Sequence, residues 1–583
     1  MVRSSQIQGL RALAVLLVLA FHADWLPGGY IGVDVFYVIS GYLITNVIID
    51  DSNFSLKNFY IRRAKRLLPV AYLVLLVTAT AFWFLAPKLS LMQFSRDLFS
   101  STWYFSNVNF AFWQNDYQNL GASPSPLIHY WSLAVEEQFY LFWPLLLLLF
   151  AKRRKSLVVL LSLSSLFLSI LLISFAPIWS FYLLPTRAFE LGIGAFLAIY
   201  KLRVNLPNIG LALIALSAII FDARSNFPGI PAILPTIGAS LVVTASQNNW
   251  LLNNPLSQRV GDWSYSIYLW HWPILILPTI AIGRQLTNLE KISALLFTIL
   301  AAAITFRYFE DPIRKLNIDS AIAVRKLGIF LLLASVTLSA LSHLMYKAGQ
   351  SHEEKFDLKN VRMQPTIYEE GCQLDKRATR PDPKCVYGDK KAGKAVVLLG
   401  DSHAAQWFPA INKWAKERGF RLVVMTKSSC PASNIPLRDD GAFKASICQE
   451  FRKSATIEIN QINPELVIMG SAENHKEIDR KSYLNLPVVN AKILILKDTP
   501  WPNKDIPTCV ADGSRKCDIP RPVPIEYPGQ ESFDPLPFLC QSTSCPAIVD
   551  GVIAYRDHSH ISVQMALKLY HALAQKLDSI VAR

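Results

Sequence analysis

Long apolar blocks dominate the first 346 residues of this chain of 583 residues. Each block is close to the roughly 20 residues that a helix needs to cross a bilayer. With 52% hydrophobic residues and a mean hydropathy of +0.28, the chain is too apolar for an average soluble enzyme. The pattern predicts eleven membrane spans, near 10–24, 30–48, 69–87, 132–151, 156–174, 180–200, 206–221, 230–246, 263–281, 291–308 and 327–346.

The basic residues between the blocks predict the orientation of the bundle. If the N-terminus is cytoplasmic, the loops expected inside carry sixteen Lys and Arg, and the loops expected outside carry four. Such an excess is the positive-inside pattern, so the formal charge of +15 is not a sign of nucleic-acid binding. The polar, aromatic-rich segment 96–116 would break this pattern as a span, and we expect it to be an interfacial or re-entrant helix.

All eight cysteines lie after the last apolar block. An even number without any CxxC spacing favours disulfides in an oxidising compartment over a zinc site. Pairing of sequence neighbours is the simplest arrangement, and it joins 372–385, 430–448, 509–517 and 540–545. An odd number of spans places this part outside as well, so two independent signals agree. The first span has no cleavage site of the AxA type, and we expect it to remain as an anchor.

The outer part alternates strands and helices from residue 395 onwards. Apolar runs at 395–400, 421–427, 465–470 and 491–498 predict strands of a parallel sheet, and helices are expected at 404–418 and 562–582. Segment 351–394 is expected to be a linker or an extension of this domain. The Pro-rich segment 499–547 holds four cysteines and is expected to be a functional loop.

Two polar motifs lie at the two ends of this α/β region. GDSH places Ser402 between the first strand and the first helix, where open α/β sheets hold their active sites. YRDHSHIS places Asp557 and His560 just before the last helix. A serine, a histidine and an aspartate are the groups that nucleophilic acyl transfer requires. Taken singly, the motifs also fit a helix cap and a polar turn, or a metal pair of His558 and His560.

Together these blocks resemble the SGNH (GDSL-type) esterase and acyltransferase domain. The resemblance implies Ser402 as nucleophile, His560 as general base and Asp557 as the group that orients it. It also implies Asn474 as an oxyanion or supporting residue, whereas the family's glycine block has no counterpart in MTKSSCPAS.

Ionisable residues also occur inside the apolar half. Arg11 and His22 lie eleven positions apart in the first block, about 16 Å along a helix axis. Charged groups within a bilayer are costly, so such residues are candidates for a functional site. The alternative is that Arg11 snorkels to one interface and His22 touches headgroups at the other.

The hydrophobic half resembles the acyltransferase family 3 membrane domain over residues 1–320. The resemblance rests on Arg-x10-His at Arg11 and His22, Arg-x-x-Arg at Arg63 and Arg66, and further blocks in this order: GVDVFYVISGYLIT, HYWSLAVEEQFY, PTRAFELGIGA, SYSIYLWHWP and FRYFEDPIRK. The fold class expected is therefore a multi-pass helical bundle with ten core spans, a linking span at 321–350, and an extracytoplasmic SGNH-like domain at 395–583.

The resemblance implies transfer of an acyl group, usually acetyl from cytoplasmic acetyl-CoA, to an envelope glycan. Arg11, Arg63 and Arg66 are then expected to bind the donor, and His22 to act as general base or as transient acyl carrier. Glu136 and Glu137 are expected to orient His22 or to line the acceptor path. Arg187, Glu190 and His271 are either paired within the bundle or, for His271, part of an interfacial aromatic belt.

The function expected is O-acylation by a protein of the bacterial inner membrane, with the outer domain in the periplasm. The partners are acyl-CoA, the bilayer and an envelope polysaccharide or lipid-linked glycan, without nucleic acid, metal or tightly bound cofactor. Lipopolysaccharide O-antigen is the acceptor favoured here, ahead of peptidoglycan and exopolysaccharide. The rivals are a membrane-anchored SGNH carbohydrate esterase and a transporter that carries the SGNH domain as a passenger.

Overall fold

The computed structural model of the chain consists of two units, Met1–Gln350 and Ser351–Arg583. The residues that the structure describes are 4–113, 124–222, 225–246, 249–282, 284–316, 320–432, 445–472, 491–502, 504–513, 517–523, 527 and 529–582. The predicted oxyanion residue Asn474 lies outside them.

Within the described residues of the first unit, all regular secondary structure is helical. Its helices are α1 (Ser5–His22), α2 (Gly32–Ile49), α3 (Leu56–Leu85), α4 (Ser90–Thr102), α5 (Ser106–Phe112), α6 (Tyr130–Leu149), α7 (Arg154–Ile173), α8 (Pro177–Tyr182), α9 (Leu184–Tyr200), α10 (Pro207–Ile220), α11 (Ile233–Thr244), α12 (Trp250–Asn253), α13 (Pro255–Ile282), α14 (Asn288–Thr305), α15 (Asp311–Lys315) and α16 (Ala321–Lys355). A π turn, Phe306–Glu310, connects α14 and α15.

Among the described residues, nine helical segments are long and apolar enough to cross a membrane. The predicted spans at 206–221 and 230–246 correspond to the shorter helices α10 and α11, of 14 and 12 residues. The described part of segment 96–116 holds the second half of α4 and all of α5, which are separated by the residues around Trp103. The outward surface of α7 is apolar, since Leu160, Leu163 and Phe167 are 67%, 62% and 68% exposed. Such a surface suits lipid rather than water.

Small residues and one buried charge cluster hold α2 against α9. A side chain at Gly41 would place its Cβ 1.8 Å from the Leu191 carbonyl oxygen, so the close helix approach depends on glycine there. Arg187 on α9 lies 3.0 Å from the Asp34 carboxylate on α2 and 3.2 Å from Glu190. All three side chains are buried, which confirms the predicted pairing of Arg187 and Glu190 within the bundle.

The second unit is an α/β domain around a seven-stranded sheet. Its elements are α17 (Leu358–Val361), β1 (Gln373–Leu374), β2 (Val386–Gly388), β3 (Ala395–Gly400), α18 (Ser402–Ala405), α19 (Phe408–Arg418), β4 (Arg421–Lys427), α20 (Ala445–Ile462), β5 (Leu466–Gly470), β6 (Lys492–Leu496), α21 (Ile506–Asp512), β7 (Ile519–Pro520), β8 (Glu531–Phe533), α22 (Leu536–Leu539), β9 (Ser544–Cys545), β10 (Ile548–Val549), β11 (Val552–Ile553), α23 (Val563–Lys568) and α24 (Tyr570–Val581).

The strand order is β1-β4-β3-β5-β6-β8, and every pair along this path is parallel. β2 pairs with β4 in the antiparallel sense. The four predicted central strands are confirmed. The predicted helix at 404–418 is divided into α18 and α19, and the one at 562–582 into α23 and α24.

Segments that the sequence suggested were irregular supply the edges of the sheet. Segment 351–394 contributes β1 and β2, and the Pro-rich segment 499–547 contributes β8. The four disulfides are the four sequence-neighbour pairs that the spacing favoured, from Cys372–Cys385 to Cys540–Cys545. Two of them, Cys372–Cys385 and Cys430–Cys448, are buried against the sheet core.

Candidate active sites in the two units

The turn after β3 presents the predicted nucleophile. Gly400 has φ +149°, and a Cβ there would lie 1.9 Å from the Gly470 carbonyl oxygen, so this turn requires glycine. Asp401 caps α18 by accepting a hydrogen bond from the His403 backbone amide at 2.8 Å. Its other carboxylate oxygen accepts from the Ala472 amide at 2.9 Å. Ser402 is therefore the first residue of a helix, half-buried, with its amide at the positive end of the helix dipole.

The second motif forms the predicted carboxylate–histidine pair. His560 Nδ1 lies 2.9 Å from Asp557 Oδ2. The Asp557 carboxylate also accepts from the backbone amides of Ser559 and His560, both at 2.8 Å. Burial raises the pKa of Asp557, but these donors outweigh it and hold the pKa well below its usual range. Burial is the largest influence on His560 and lowers its pKa below 6.5.

The two motifs meet through residues next to Ser402. The rings of His403 and His560 lie 4.7 Å apart between centroids. The Ile561 amide donates to the Gln406 side chain at 2.8 Å, which ties the second motif to the segment after α18. Within the described structure, His560 Nε2 is buried and has no hydrogen-bond partner. No hydrogen bond joins the side chains of Ser402 and His560, so the structure brings the two motifs together without closing the triad.

A second histidine–aspartate pair lies in the same place and was missed by the sequence reasoning. His403 Nδ1 is 2.6 Å from Asp498 Oδ1, and both side chains are buried. Trp501 stacks on the His403 ring at 4.7 Å and donates to the other Asp498 oxygen at 2.6 Å. Burial lowers the pKa of His403, but the adjacent Asp498 carboxylate outweighs it and raises the pKa above 6.5. The signal was available, because Asp498 follows β6 at the carboxyl end of the sheet.

In the helical unit, the predicted donor-binding arginines line two adjoining cavities. One, of about 870 Å³, is lined by Arg11, Arg63 and Arg66 together with Glu136 and Glu137. The other, of about 1770 Å³, shares Arg11 and Arg66 with the first. Its further basic residues are Lys201, Arg203 and Arg314. Arg11 and Arg66, which line both cavities, are two of the three arginines that the sequence predicted to bind the donor.

Protein groups use only part of the hydrogen-bonding capacity of the arginines around this junction. Arg11 donates to Gln8 at 3.0 Å, and the Arg63 guanidinium lies 4.5 Å from the centre of the Tyr140 ring. Arg66 Nε is buried and has no hydrogen-bond partner within the described part of the chain. A buried guanidinium N–H without a partner is costly, which makes Arg66 a candidate for ligand binding.

The two glutamates lie with the arginines. Glu136 accepts hydrogen bonds from Ser40 at 3.2 Å and from Tyr140 at 3.0 Å. Glu136 and Glu137 line the first cavity together with Arg11, Arg63 and Arg66. Their roles in orienting His22 or in lining the acceptor path stay predictions.

His22 contacts another histidine. Its Nδ1 lies 2.8 Å from Nε2 of His271 on α13, and its ring packs on Trp272 at 4.5 Å. His271 is completely buried, so the alternative of an interfacial belt is wrong for this residue. Among the residues that the structure describes, no cluster of His, Cys, Asp or Glu has the geometry of a metal site.

Comparison with known proteins decides the family. The Acyl_transf_3 model, described as an acyltransferase domain, matches residues 4–307, and the SGNH model, described as a domain fused to such acyltransferases, matches 371–575. This chain belongs to the acyltransferase 3 family. The acyltransferase 3 domain therefore contains the arginine-lined cavities and His22, and the SGNH domain contains Ser402 and His560.

Several known proteins are similar to this chain. Peptidoglycan O-acetyltransferase OatA of Listeria monocytogenes is 36% identical over 345 residues, which cover 53% of this chain and 55% of that protein. The putative peptidoglycan O-acetyltransferase YrhL of Bacillus subtilis is 34% identical, with 53% and 54% covered. O-acetyltransferase OatA of Staphylococcus aureus is 32% identical, with 59% and 63% covered. The chain thus spans 54–63% of the length of these curated relatives.

One solved structure also matches. It is the lipopolysaccharide acetyltransferase periplasmic domain of Salmonella ser. Paratyphi A, at 14% identity and a TM-score of 0.27, and the alignment covers 39% of this chain and 96% of that one.

Proposed function

We propose that this chain is a membrane O-acetyltransferase that moves an acyl group from cytoplasmic acyl-CoA to a hydroxyl of an envelope glycan. The observation that carries the proposal is the junction of two cavities at Arg11 and Arg66, inside an acyltransferase 3 domain. Guanidinium groups bind phosphates through paired hydrogen bonds, and the adjoining Lys201, Arg203 and Arg314 add positive charge. Acyl-CoA is the acyl donor that carries several phosphates.

The distance between Arg11 and His22 suits the shape of this donor. Both residues are on α1, eleven positions apart, which corresponds to about 16 Å along the axis. In acyl-CoA, a long and narrow pantetheine arm separates the phosphates from the thioester. Phosphates near Arg11 and Arg66 would thus direct the thioester towards the end of α1 that carries His22.

Two roles of His22 remain in the proposal, and each balances. As a general base, His22 takes the proton of an attacking hydroxyl while the oxygen bonds to the thioester carbon, and the departing CoA thiolate takes that proton. As an acyl carrier, the imidazole nitrogen bonds to the acyl carbon and CoA departs as a thiolate. The oxygen of the next hydroxyl then bonds to the acyl carbon, the bond from that carbon to the imidazole nitrogen breaks, and the hydroxyl proton passes to the CoA thiolate.

The SGNH domain would complete the transfer outside. Ser402 Oγ bonds to the acyl carbon while the bond from that carbon to the group that delivered it breaks. His560 takes the serine proton and passes it to that leaving group, and Asp557 holds the tautomer that makes this possible. The oxygen of the acceptor hydroxyl then bonds to the acyl carbon, His560 takes the hydroxyl proton, and the bond to Ser402 Oγ breaks as His560 returns that proton to Oγ. The compartment outside the membrane is expected to lack acyl-CoA, which is why a donor site within the bilayer and a nucleophile beyond it belong to one chain.

Peptidoglycan is the acceptor that we propose first. The Listeria relative is named as a peptidoglycan O-acetyltransferase, and the Bacillus relative as a putative one. These names favour peptidoglycan over lipopolysaccharide O-antigen, which was the acceptor favoured by the sequence alone. The inner membrane, the cytoplasmic N-terminus and the outward SGNH domain are part of the same proposal and rest on the charge pattern and the disulfides.

The deciding experiment supplies labelled acetyl-CoA to inside-out vesicles that contain the full chain. We expect label to appear on O-acetylated glycan, and mass spectrometry of muropeptides and O-antigen from cells with and without the protein identifies which glycan it is. Release of all label as free acetate would favour the esterase instead. O-acetylation that persists in a His22→Ala variant would refute the relay.

A further inference from the structure

Three buried histidines lie together in the acyltransferase 3 domain. They are His22 at the end of α1, His129 just before α6 and His271 in the middle of α13. The ring centroids of His22 and His271 are 4.9 Å apart, and those of His129 and His271 are 5.4 Å apart. The exposed fractions are 7%, 0% and 0%. Only His22 belongs to the sequence motif that defined the donor site.

The backbone of α13 determines where His271 carries its proton. His271 Nδ1 lies 2.5 Å from the Tyr268 carbonyl oxygen, which accepts hydrogen bonds and cannot donate them. Nδ1 of His271 must therefore carry the hydrogen. In a neutral imidazole the other nitrogen then carries the lone pair, so His271 Nε2 is an acceptor.

The tautomer of His22 follows from that of His271. Its Nδ1 lies 2.8 Å from the accepting Nε2 of His271, so His22 Nδ1 is the donor in this hydrogen bond. Neutral His22 consequently has its lone pair on Nε2. Protonation of His22 at Nε2 leaves the bond to His271 unchanged, because Nδ1 donates in both states.

His129 is fixed by the same helix but in a different way. Pro273 has no N–H, so it cannot supply the helical hydrogen bond to the Leu269 carbonyl four residues earlier. His129 Nε2 lies 3.1 Å from this carbonyl oxygen and donates to it. Carbonyl groups of α13 thus fix the tautomers of both histidines that surround His22.

We propose that His271 is a positioning residue for the acyl-transfer step, and that it holds His22 in the tautomer with its lone pair on Nε2. This inference rests on the proposed function, in which His22 is the reacting group. It applies to both roles of His22, since a general base and an acyl carrier each need an unprotonated nitrogen. His271 itself contacts neither the thioester nor the acceptor in this proposal.

The test compares three substitutions in the full chain. In His271→Gln the side-chain oxygen can reach the position of Nε2 and accept from His22. In His271→Asn the amide matches the Nδ1 edge only and cannot reach His22. His271→Leu removes both hydrogen bonds. Release of CoA thiol from acetyl-CoA is measured for each variant, and kcat and KM are determined separately.

We expect His271→Leu and His271→Asn to lower kcat about 10- to 100-fold, because a general base contributes about 10²- to 10⁴-fold and is impaired rather than removed. His271→Gln should stay within about tenfold of the wild type, and KM for acetyl-CoA should change less than twofold in all three. Equal activity in the three variants, or an Asn variant above the Gln variant, would overturn the proposal. A rise in KM that accompanies each loss of kcat would also overturn it, as it would indicate a damaged bundle.

A second measurement separates this inference from the proposed function. Diethylpyrocarbonate acylates an unprotonated imidazole nitrogen and needs no CoA. We expect His22 to react more slowly in His271→Leu than in the wild type and in His271→Gln, as followed by mass spectrometry of the peptide containing His22. Equal rates would refute the role of His271. A wild-type chain that releases no CoA but shows this order of rates would refute the proposed function alone.

Discussion

The two candidate sites orient a histidine in the same way with different partners. His560 of the SGNH domain is held at Nδ1 by the Asp557 carboxylate, whereas His22 of the acyltransferase 3 domain is held at Nδ1 by another imidazole. Asp557 receives backbone N–H donors at 2.8 Å, so its charge is satisfied. A carboxylate within an apolar bundle would need comparable donors or a buried cation. A site within an apolar bundle can therefore orient its histidine with a neutral acceptor, whereas a site with backbone N–H donors can use a charged one.

The largest expected difference between the sites concerns Ser402, the proposed nucleophile of the SGNH domain. Ser402→Ala should lower glycan O-acetylation at least about a thousandfold, as loss of a triad nucleophile does. CoA release by the acyltransferase 3 domain should continue. Both are measured with labelled acetyl-CoA, and Ser579→Ala, on the exposed surface of α24, is the matched serine control. Full O-acetylation in Ser402→Ala would show that the membrane site finishes the reaction alone.

The disulfides provide a second way to separate the two units, because all four lie in the second one. Replacing Cys430 and Cys448 by alanine removes a cross-link over 18 residues, and we expect it to lower the free energy of unfolding of this unit by about 3 kcal/mol. The Cys540–Cys545 pair spans only 5 residues, and its removal should cost about 2 kcal/mol.

Protease resistance of the second unit at increasing temperature measures this effect in membranes. CoA release should be unchanged in both double variants. A parallel loss of CoA release would show that the donor site depends on the folded outer domain, and the comparison between two independent sites would fail.

The sequence predicted most of the fold, and it predicted those site residues that lie within short sequence motifs. Period and apolar runs identified the central strands, and the motifs identified Ser402, Asp557, His560 and the arginines at the cavities. What it missed lies at long sequence separation. Asp498 reaches His403 from 95 residues away, and His271 reaches His22 from 249 residues away. Short edge strands such as β8 were missed because three residues show no period of their own.

Arg66 tests the donor side of the comparison, because in the proposed function the donor binds in the acyltransferase 3 domain. Arg66→Lys keeps the charge but removes the paired hydrogen bonds to a phosphate, and we expect KM for acetyl-CoA to rise about tenfold with a smaller change in kcat. Arg62→Lys is the matched control, because Arg62 lies in the same basic segment and is exposed. An unchanged KM in Arg66→Lys, or an equal rise in Arg62→Lys, would refute phosphate binding at the cavity junction.

The smallest expected effect tests the second histidine–aspartate pair of the SGNH domain. The Asp498 carboxylate raises the pKa of His403, and a cationic His403 lowers the pKa of His560. The other charged groups that act on His560 are Asp557, which raises its pKa, and Arg556, which lowers it. Asp498→Asn removes the carboxylate that raises the pKa of His403, which lessens the positive charge beside His560, so the pKa of His560 should rise.

The sign of the resulting pH effect follows from the proposed role of His560 as a base. His560 must be neutral to accept the Ser402 proton, so activity is lost as the pH falls through its pKa. The acidic limb of the O-acetylation profile should therefore move to higher pH in Asp498→Asn, with a larger loss at pH 6 than at pH 8. The CoA-release profile of the acyltransferase 3 domain should not move. If the acidic limb stays in place while activity falls equally at every pH, Asp498 supports the fold of the site and does not tune its base.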